Sequence, residues 1–516
     1  MMKISRNKIV YSGIAGIFLG MLGLIAFRYA FFFDGDFSPD AYYHVRIALE
    51  GWKVFAAKTF PHLILSSWNE CFADKELLFH WILGGIQSLC LALGFPEFPF
   101  HVPNAFFVLI LLIAFAWAGI RYRIRILWFL TPFLVVGFPY FSPRLVMIRP
   151  HLLAIALMLF STILFSDIRT FKESWKGILI GFLFVWSYSN PHFVYLPAGA
   201  FALAYFLNGK RSRAFLILLS VTTGLLMGFL IHPQVPNTFI NWKIQCIDVP
   251  LFMLQENPPL LLGQEMVLRP YRLFGNYFLL FLPYFLLIAC NVGMTVFWLR
   301  RDRRNCFQHE KEMALLFMAG ITALAYIFIY RMVEYAWPFN VLYAGVLTSR
   351  FVYRRFAEKR ALLSVLSLAL LLSICSFWTT FCMNSFYFQP IKPCTQLASW
   401  FQKYGKSVPK GLVIANLNWS DFPQLYYAMP QFRYLCGLDP TFGYFYKKDI
   451  TLQLEKIYSA FEIPKPAEMM NLVGTPLIYV SERDSNLAKE LYNSGYRMIY
   501  QGVDGWLFST FGSVKK

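Results

Sequence analysis

Charged residues are scarce in this sequence. Only 15% of its 516 residues are charged, whereas soluble globular domains carry about 25% charged residues. Hydrophobic residues make up 58% of the chain and aromatic residues 19%, which is more apolar material than soluble cores of this length can hide. The composition therefore excludes a soluble multidomain protein and predicts a chain that crosses a membrane several times.

The patterns typical of several other protein classes are also missing. The nine cysteines include no CxxC pair and no spacing typical of a zinc site. Most lie in apolar runs, where a cysteine is expected to be a small buried hydrophobic residue. Cys382, Cys394 and Cys436 could form a disulfide if the C-terminal segment lies outside the cytosol. No internal repeat and no low-complexity stretch is visible.

Acidic residues are fewer than basic ones, 28 against 47, which gives a net charge of +19. Residues 1–385 contain 33 Lys/Arg and 18 Asp/Glu, whereas residues 386–516 contain 14 and 10. The basic residues lie in short clusters beside apolar runs, which is the positive-inside pattern and not the single basic face of a nucleic-acid-binding protein. The clusters are Lys3/Arg6/Lys8, Arg121/Arg123/Arg125, Arg169/Lys172/Lys176, Lys210/Arg211/Arg213, Arg300/Arg301/Arg303/Arg304 and Arg350/Arg354/Arg355/Lys359/Arg360.

Candidate spanning helices, which need about 20 mainly apolar residues, recur along residues 1–385. They are roughly 9–32, 79–95, 103–120, 126–142, 151–167, 177–189, 192–207, 214–231, 276–299, 313–330, 336–349 and 361–382. The first begins with a basic residue like a signal peptide. Its apolar run is long and no small-residue cleavage site follows, so we predict an uncleaved helix.

The basic clusters orient these helices, since such clusters are retained in the cytosol. The N-terminus is then inside, and the outer segments are 34–78, 143–150, 232–275 and 383–516. Twelve crossings would place both ends of the chain on the same side of the membrane, whereas the clusters place the N-terminus inside and 383–516 outside. In addition, Arg121–Arg125 would lie outside if both 79–95 and 103–120 crossed. We therefore expect 11 or 13 crossings, with one segment re-entrant or one helix divided.

Residues 386–516 differ from the rest in pattern. Buried strands are predicted at 410–415 and 475–480, a last short strand at 505–508, and helices at 450–461 and 485–494. The sequence thus predicts a mainly α membrane helix bundle over residues 1–385, with its first outer loop at 34–78, and a small soluble α/β domain over residues 386–516.

Polar residues gather at the predicted outer ends of the helices, where they are costly and favour a functional role. Six of the eight histidines lie there: His44, His62, His80, His151, His192 and His232. The first outer loop also has three carboxylates within seven residues, Asp34, Asp36 and Asp40. Such carboxylates can hold Mg²⁺ or Mn²⁺ or provide a general base. The alternative is a solvated loop in which Ser38 or Asp40 caps the next helix.

The sequence that follows resembles a motif of the GT-C membrane glycosyltransferases. An aspartate, two aromatic residues, a polar residue and an arginine in the first outer loop are similar to the motif of oligosaccharyltransferase catalytic subunits. The resemblance implies that Asp40 is the catalytic aspartate, assisted by Asp34 and Asp36, which are also the candidate metal ligands. It implies substrate contacts for the residues that match the rest of the motif, namely Tyr42, Tyr43, His44 and Arg46.

Further segments resemble the bacterial GT-C enzymes. Asp74, Lys75 and His80 match a segment that opens their second helix. Short polar-Pro-His breaks at outer helix ends are matched by Arg149-Pro150-His151, Asn190-Pro191-His192 and His232-Pro233. Each break also has an ordinary explanation, because a proline frees carbonyls that a polar neighbour then satisfies.

The long outer loop and the C-terminal segment agree less closely with these enzymes. Glu265 matches the acidic residue of that loop, and Glu256 is its rival. The acceptor-binding Trp-Trp-Asp motif of oligosaccharyltransferases is reduced to Trp419-Ser420-Asp421, and the second outer loop has no acidic pair. Both departures argue against a true oligosaccharyltransferase.

Outer-face arginines suit a phosphate-bearing substrate, because a guanidinium binds phosphate oxygens at two points. The arginines that no cytosolic cluster explains are Arg149, Arg269, Arg272 and Arg331. Arg331 has an alternative partner in Glu334.

The resemblance implies inverting sugar transfer in the bacterial inner membrane, on its periplasmic face. The donor would be a polyprenyl-phosphate-linked sugar and the acceptor a glycan, lipid or protein. The alternatives are a transporter or flippase of lipid-linked sugars, which often shows repeated halves, and a scaffold or polymer ligase of the cell envelope.

Overall fold

The computed structural model describes residues 6–31, 36, 38–95, 99–253, 260, 278–301, 309–352, 391–404, 409 and 411–511. Up to residue 253 the helices are α1 (Arg6–Phe31), α2 (Pro39–Glu50), α3 (Trp52–Phe55), α4 (Leu77–Ala92), α5 (His101–Arg121), α6 (Leu127–Val136), α7 (Ser142–Leu145), α8 (His151–Ser166), α9 (Trp175–Ser187), α10 (Tyr195–Leu207), α11 (Arg211–Ile231), α12 (Asn237–Lys243) and α13 (Val249–Met253).

The helices continue after residue 278 and are joined by five strands. The helices are α14 (Phe278–Arg301), α15 (Glu310–Phe328), α16 (Val333–Leu347), α17 (Thr395–Tyr404), α18 (Phe422–Ala428), α19 (Pro440–Tyr444), α20 (Lys448–Ser459), α21 (Pro466–Val473) and α22 (Ser485–Asn493). The strands are β1 (Val413–Asn416), β2 (Arg433–Tyr434), β3 (Leu477–Val480), β4 (Arg497–Gly502) and β5 (Gly505–Ser509).

The chain divides into two compact units. The first comprises Met1–Asp34, Phe95–Phe229 and Gly263–Gln389, and the second comprises Gly35–Gly94, Leu230–Leu262 and Pro390–Lys516. The second unit thus combines the first outer loop with the C-terminal segment. The division predicted at residue 385 is based on composition along the chain. The two units instead group segments that contact one another, so residues 35–94 and 230–262 join the C-terminal segment.

The first unit contains apolar helices suited to a membrane. Among the described residues of the whole chain, five helices are long and apolar enough to cross one: Asn7–Phe27, His101–Arg121, Arg211–Ile231, Phe281–Arg300 and Glu310–Phe328. Large apolar side chains on them are exposed, such as Phe18 at 64% and Leu226 at 51%, which is expected where lipid replaces water. Described helices match the predicted spans in position, except 361–382, which lies outside the described residues. The predicted mainly α membrane fold is confirmed.

The second unit is built around a mixed five-stranded sheet in the order β2-β1-β3-β5-β4. Strand β1 is parallel to β2 and β3, and β5 is antiparallel to β3 and β4. The predicted strands and the helices α20 and α22 are all present. Cys394 and Cys436 are free thiols, so no disulfide joins them, and Cys382 lies outside the described residues.

The first outer loop is hydrogen-bonded to the edge of this sheet. The Tyr434 N–H donates to the His62 carbonyl at 2.7 Å, and the Ile64 and Leu65 N–H groups donate to the carbonyls of Tyr434 and Leu435 at 3.0 and 2.7 Å. Backbone groups at a sheet edge need partners when they are buried. Residues 62–65 of the loop supply them along the edge strand β2.

Candidate functional site

Helix α2 begins within the acidic part of the first outer loop. The Asp36 carboxylate is 2% exposed and accepts a hydrogen bond from the Ser38 N–H at 2.9 Å. Pro39 follows at the first helical position, where its fixed φ suits a helix start and its missing N–H is not needed. Asp36 therefore shapes the turn that enters α2.

Asp40 lies in the first turn of α2 and is partly exposed. The N-cap position belongs to Ser38, whose side chain makes no capping hydrogen bond. A carboxylate in a first turn is stabilised by the positive end of the helix dipole. Asp40 is therefore not the residue at the N-cap of α2. Its carboxylate lies in the first turn, where solvent can reach it.

The paired aromatic residues of the motif pack α2 against α18. Tyr42 is 1% exposed, donates to the Ile391 carbonyl at 2.5 Å, and contacts the Tyr427 ring edge-on at 5.2 Å between centroids. Tyr43 is 3% exposed and lies 6.4 Å from the Phe422 ring. Burial raises the pKa of both hydroxyls, and the Asp74 charge raises that of Tyr43 further. In this arrangement the two tyrosines position α2.

His44, His80 and Asp74 form a buried chain of hydrogen bonds. Nδ1 of His44 lies 2.8 Å from Nε2 of His80, and Nδ1 of His80 lies 2.9 and 2.8 Å from the two Asp74 carboxylate oxygens. The three side chains are 7%, 0% and 1% exposed. Because Asp74 accepts the proton of His80 Nδ1, the Nε2 lone pair of His80 faces His44. The structure thus brings together three of the residues predicted from separate segments.

Lys75 and Arg46 are each committed to a neighbour in the second unit. The Lys75 ammonium donates to the Gln245 side-chain oxygen at 2.5 Å and lies 5.5 Å from the centroid of the Trp68 ring. Arg46 pairs with Glu50, one turn further along α2, at 3.0 Å. The two side chains of this pair are partly buried, at 26% and 17% exposure.

Two carboxylates that the sequence did not single out lie near these residues. Glu76 precedes α4 and is 5% exposed. Asp439 caps α19 by accepting from the Thr441 N–H at 2.9 Å. Burial raises the pKa of the Asp439 carboxyl, Lys75 lowers it, and Asp40 raises it, so Asp40 and Lys75 are its charged neighbours. No sequence signal marks Asp439, because its proximity to Asp40 depends on folding.

Asp421, the residue compared above with the aspartate of the Trp-Trp-Asp motif, is buried beside Arg483. One of its oxygens accepts from the Arg483 guanidinium at 2.9 Å, and the other, Oδ2, is buried without a hydrogen-bond partner among the described residues. Burial raises the pKa of the Asp421 carboxyl to about 7 against the opposing effect of Arg483.

Asp421 should make the stability of the protein fall as the pH rises toward neutrality. Between about pH 4 and 7 the folded chain keeps a proton on this carboxyl that the unfolded chain loses, so deprotonation favours unfolding. Asn resembles the protonated form of Asp. As the pH is raised from about 5 to 8, the melting temperature of Asp421→Asn should therefore fall less than that of wild type. Thermal unfolding of the purified protein measures this, with exposed Asp449→Asn as control. Parallel pH profiles would contradict it.

A second polar group lies in the first unit, where Arg144 pairs with Glu334. Both Nε (2.9 Å) and Nη2 of Arg144 donate to the same oxygen, Oε1 of Glu334. The side chains are 6% and 0% exposed, and Oε2 of Glu334 is buried without a hydrogen-bond partner among the described residues. Neither residue was among the predicted site residues, although Glu334 had been considered as a partner of Arg331.

Two predicted residues of the first unit, Arg331 and His151, lie beside this pair. Arg331 lies 3.9 Å from Glu334 Oε1 and its side chain is 35% exposed, so its pairing is weaker than that of Arg144. His151 is buried and donates through Nε2 to the Arg144 carbonyl at 2.9 Å, and Arg149 is among its charged neighbours. His192 follows Pro191 in a short 3₁₀ helix, with Nδ1 buried and without a hydrogen-bond partner among the described residues.

Several predicted residues lie outside the described residues: Asp34, Glu256, Glu265, Arg269 and Arg272. The cation predicted at Asp34 and Asp36 therefore stays a prediction. Among the described residues, one group of three ligand-type side chains has its ligand atoms within 4.8 Å of one another, namely His44, Glu76 and His80.

The helices of the first unit and the small sheet of the second define a mainly helical fold with five candidate membrane spans among the described residues. This fold is similar to that of the oligosaccharyltransferase of Archaeoglobus fulgidus, whose crystal structure is of the apo form. The match covers 100% of this chain and 75% of that chain, with a TM-score of 0.59 and 13% sequence identity. No protein-family model and no curated protein matches the sequence.

Proposed function

We propose that this protein is a membrane glycosyltransferase of the GT-C type that transfers a sugar from a polyprenyl-phosphate-linked donor to a glycan, lipid or protein. The observation that carries this proposal is the likeness of fold to an oligosaccharyltransferase along the whole chain. The motif in α2 supports it, because Asp40 is partly exposed while the tyrosines and His44 beside it are buried. That arrangement leaves one carboxylate of the motif open to a substrate.

In the proposed reaction Asp40 is the general base. Its carboxylate takes the proton of an acceptor hydroxyl, or polarises an acceptor amide, as the acceptor attacks the anomeric carbon of the sugar. The bond from that carbon to the phosphate oxygen breaks, and its electron pair leaves with the lipid phosphate. A single displacement inverts the configuration at the anomeric carbon. A positioned base contributes about 10²–10⁴-fold to such a step.

Arg149 and Arg331 are the proposed holders of the donor phosphate. Arg144, Arg149 and Arg331 carry three positive charges against one negative charge on Glu334, an excess of two. The Arg144 side chain is 6% exposed in its pair with Glu334, whereas the Arg331 side chain is 35% exposed and can be reached by a substrate. Arg331, assisted by Arg149, is therefore the better candidate to neutralise a leaving phosphate.

Arg331→Ala should lower kcat/KM by roughly 10–100-fold, the effect of losing a charged hydrogen bond of about 1.5–3 kcal/mol. Arg331→Lys should recover only part of the activity, because lysine cannot make the planar two-point contact. Arg149→Ala should also lower kcat/KM. Exposed Arg169→Ala is the matched control, and wild-type kinetics in both Arg331→Ala and Arg149→Ala would remove these residues from the site.

The site is proposed to face the outside, with the bacterial cytoplasmic membrane as the location. Helix α4 is the segment whose crossing conflicts with the basic cluster Arg121–Arg125, because crossings by both α4 and α5 would place that cluster outside the cytosol. If α4 does not cross, Arg121–Arg125 lies in the cytosol and the crossings number 11. That count satisfies the charge pattern and leaves residues 386–516 outside as a soluble domain.

Reporter fusions test this topology. Fusions made after Phe100 and after Lys516 should both be active only with a reporter that works outside the cytosol, whereas a fusion after Arg125 should behave as cytosolic. A cytosolic signal after Phe100 would mean that α4 crosses the membrane and would favour 13 crossings.

The activity itself is tested with purified protein and a polyprenyl-phosphate sugar. Transfer of labelled sugar to an acceptor, with release of the lipid phosphate, is the expected result. Movement of the intact lipid across liposomes without cleavage would identify a flippase instead, and the loss of a glycan, lipid or protein modification in cells lacking the protein would identify the acceptor.

A further inference from the structure

The buried polar group of the second unit has the composition of a metal site. His44 on α2, Glu76 just before α4 and His80 in the first turn of α4 present three ligand atoms within 4.8 Å of one another. All three side chains are at most 7% exposed. Two imidazoles and one carboxylate buried this close together are a donor set that commonly binds a transition metal.

Asp74 binds His80 in the way that a carboxylate commonly binds a metal-ligating histidine. Both Asp74 carboxylate oxygens lie within 2.9 Å of His80 Nδ1, which fixes the proton on that nitrogen and directs Nε2 toward His44 and Glu76. A histidine that binds a metal through one nitrogen commonly donates to a carboxylate through the other. This observation is independent of the three ligand atoms and points in the same direction.

The surrounding chain holds Asp74 in place. Its N–H donates to the Gln234 side-chain oxygen at 2.6 Å, and Gln234 in turn donates to the carbonyls of Val54 and Ala57 at 3.0 and 2.7 Å. One Asp74 oxygen also accepts from the Glu76 N–H at 3.1 Å. Asp74, Glu76 and His80 are thus fixed relative to one another within seven residues of chain.

We propose that His44, Glu76 and His80 bind a divalent transition-metal ion of the zinc class. Two imidazoles and one carboxylate form a donor set that suits Zn²⁺, whereas Mg²⁺ prefers oxygen ligands alone. Nitrogens bound to one tetrahedral zinc at 2.0–2.1 Å lie about 3.4 Å apart. The 2.8 Å between the two histidines therefore has to open slightly, by movement of His44, since Asp74 fixes His80.

Such an ion would connect α2 to α4 one helical turn from Asp40. Three protein ligands leave a fourth position for water or another ligand. The site does not depend on the sugar-transfer reaction, because metal binding can be measured whether or not the protein transfers a sugar. It also differs from the cation predicted at Asp34 and Asp36, which would have oxygen ligands.

Metal analysis of the full-length protein, purified with a tag that contains no histidine, tests the proposal. After chelation and reloading with Zn²⁺, wild type should hold about one zinc per chain, and Co²⁺ should give the visible absorption of a tetrahedral site. His44→Ala and Glu76→Gln should lose the metal. Asp74→Asn should weaken affinity by about 10–100-fold while keeping all three ligands, which guards against a ligand variant that fails to fold.

Two further variants make the result decisive. His62→Ala is the control, since His62 lies in the same unit and interacts with the Phe432 carbonyl instead, and it should retain the metal. Asp36→Asn should also retain it. The proposal is overturned if folded wild type binds no zinc, which would leave a His44–His80–Asp74 hydrogen-bond chain, or if metal is lost in Asp36→Asn but kept in His44→Ala and Glu76→Gln.

Discussion

Asp40→Asn should insert and fold like wild type but lose about 10²-fold or more of its transfer rate. Asparagine keeps the shape of the side chain and its place in the first turn of α2, but it cannot accept the acceptor's proton. The measurement is turnover of a polyprenyl-phosphate sugar by purified protein, together with its melting temperature.

The matched control is Asp449→Asn, because Asp449 is the second residue of α20 as Asp40 is of α2. Both changes remove one carboxylate from a first turn, so a loss of helix-dipole stabilisation, about 0.3–1 kcal/mol, should be similar in the two. Asp36→Asn should reduce activity less, and added Mg²⁺ or Mn²⁺ should partly restore it if Asp36 binds a cation. Wild-type turnover in Asp40→Asn would leave the proposed mechanism without its base.

Arg144→Ala should destabilise the protein by about 3–5 kcal/mol, the cost of leaving a buried carboxylate without its partner. Glu334 is fully buried and Arg144 supplies both of its close hydrogen bonds. Arg331, at 3.9 Å, can compensate only in part. The expected observation is a large fall in the melting temperature of the purified protein, with reduced yield from membranes.

A paired substitution separates loss of the ion pair from loss of packing. Arg144→Met combined with Glu334→Gln removes both charges and keeps similar volumes, so it should recover most of the stability lost in Arg144→Ala. Exposed Arg169→Ala should leave stability within about 0.5 kcal/mol of wild type. If Arg144→Ala unfolds at the wild-type temperature, the pair is not a stabilising contact.

The long apolar helices and three of the five strands could be predicted from the sequence. Spanning helices depend on about 20 consecutive apolar residues, and α1, α5, α11, α14 and α15 lie where such runs occur. The strands β1, β3 and β5 follow from short buried runs, as predicted. These features are local, so a window of neighbouring residues contains the information that determines them.

The candidate site was only partly predictable. His44, Asp74 and His80 were selected from two separate segments, but their hydrogen bonds join positions 36 residues apart in the chain, and no local pattern specifies that pairing. The same holds for Arg144 and Glu334, which are 190 residues apart. Asp439 and Glu76 carried no motif, and their importance comes from the side chains that folding places beside them.

By itself, the sequence determined that this is a mainly helical membrane protein, which segments are apolar, and which loop has the acidic motif with Asp40. Hydropathy and charge are properties of neighbouring residues in the sequence, so the sequence alone is sufficient for these conclusions. The tertiary structure decided that the first outer loop completes the edge of the C-terminal sheet, that Tyr42 and Tyr43 fix α2, and that the histidines meet Glu76 and Asp74. Those contacts depend on which distant backbone and side-chain groups must satisfy one another once they are buried.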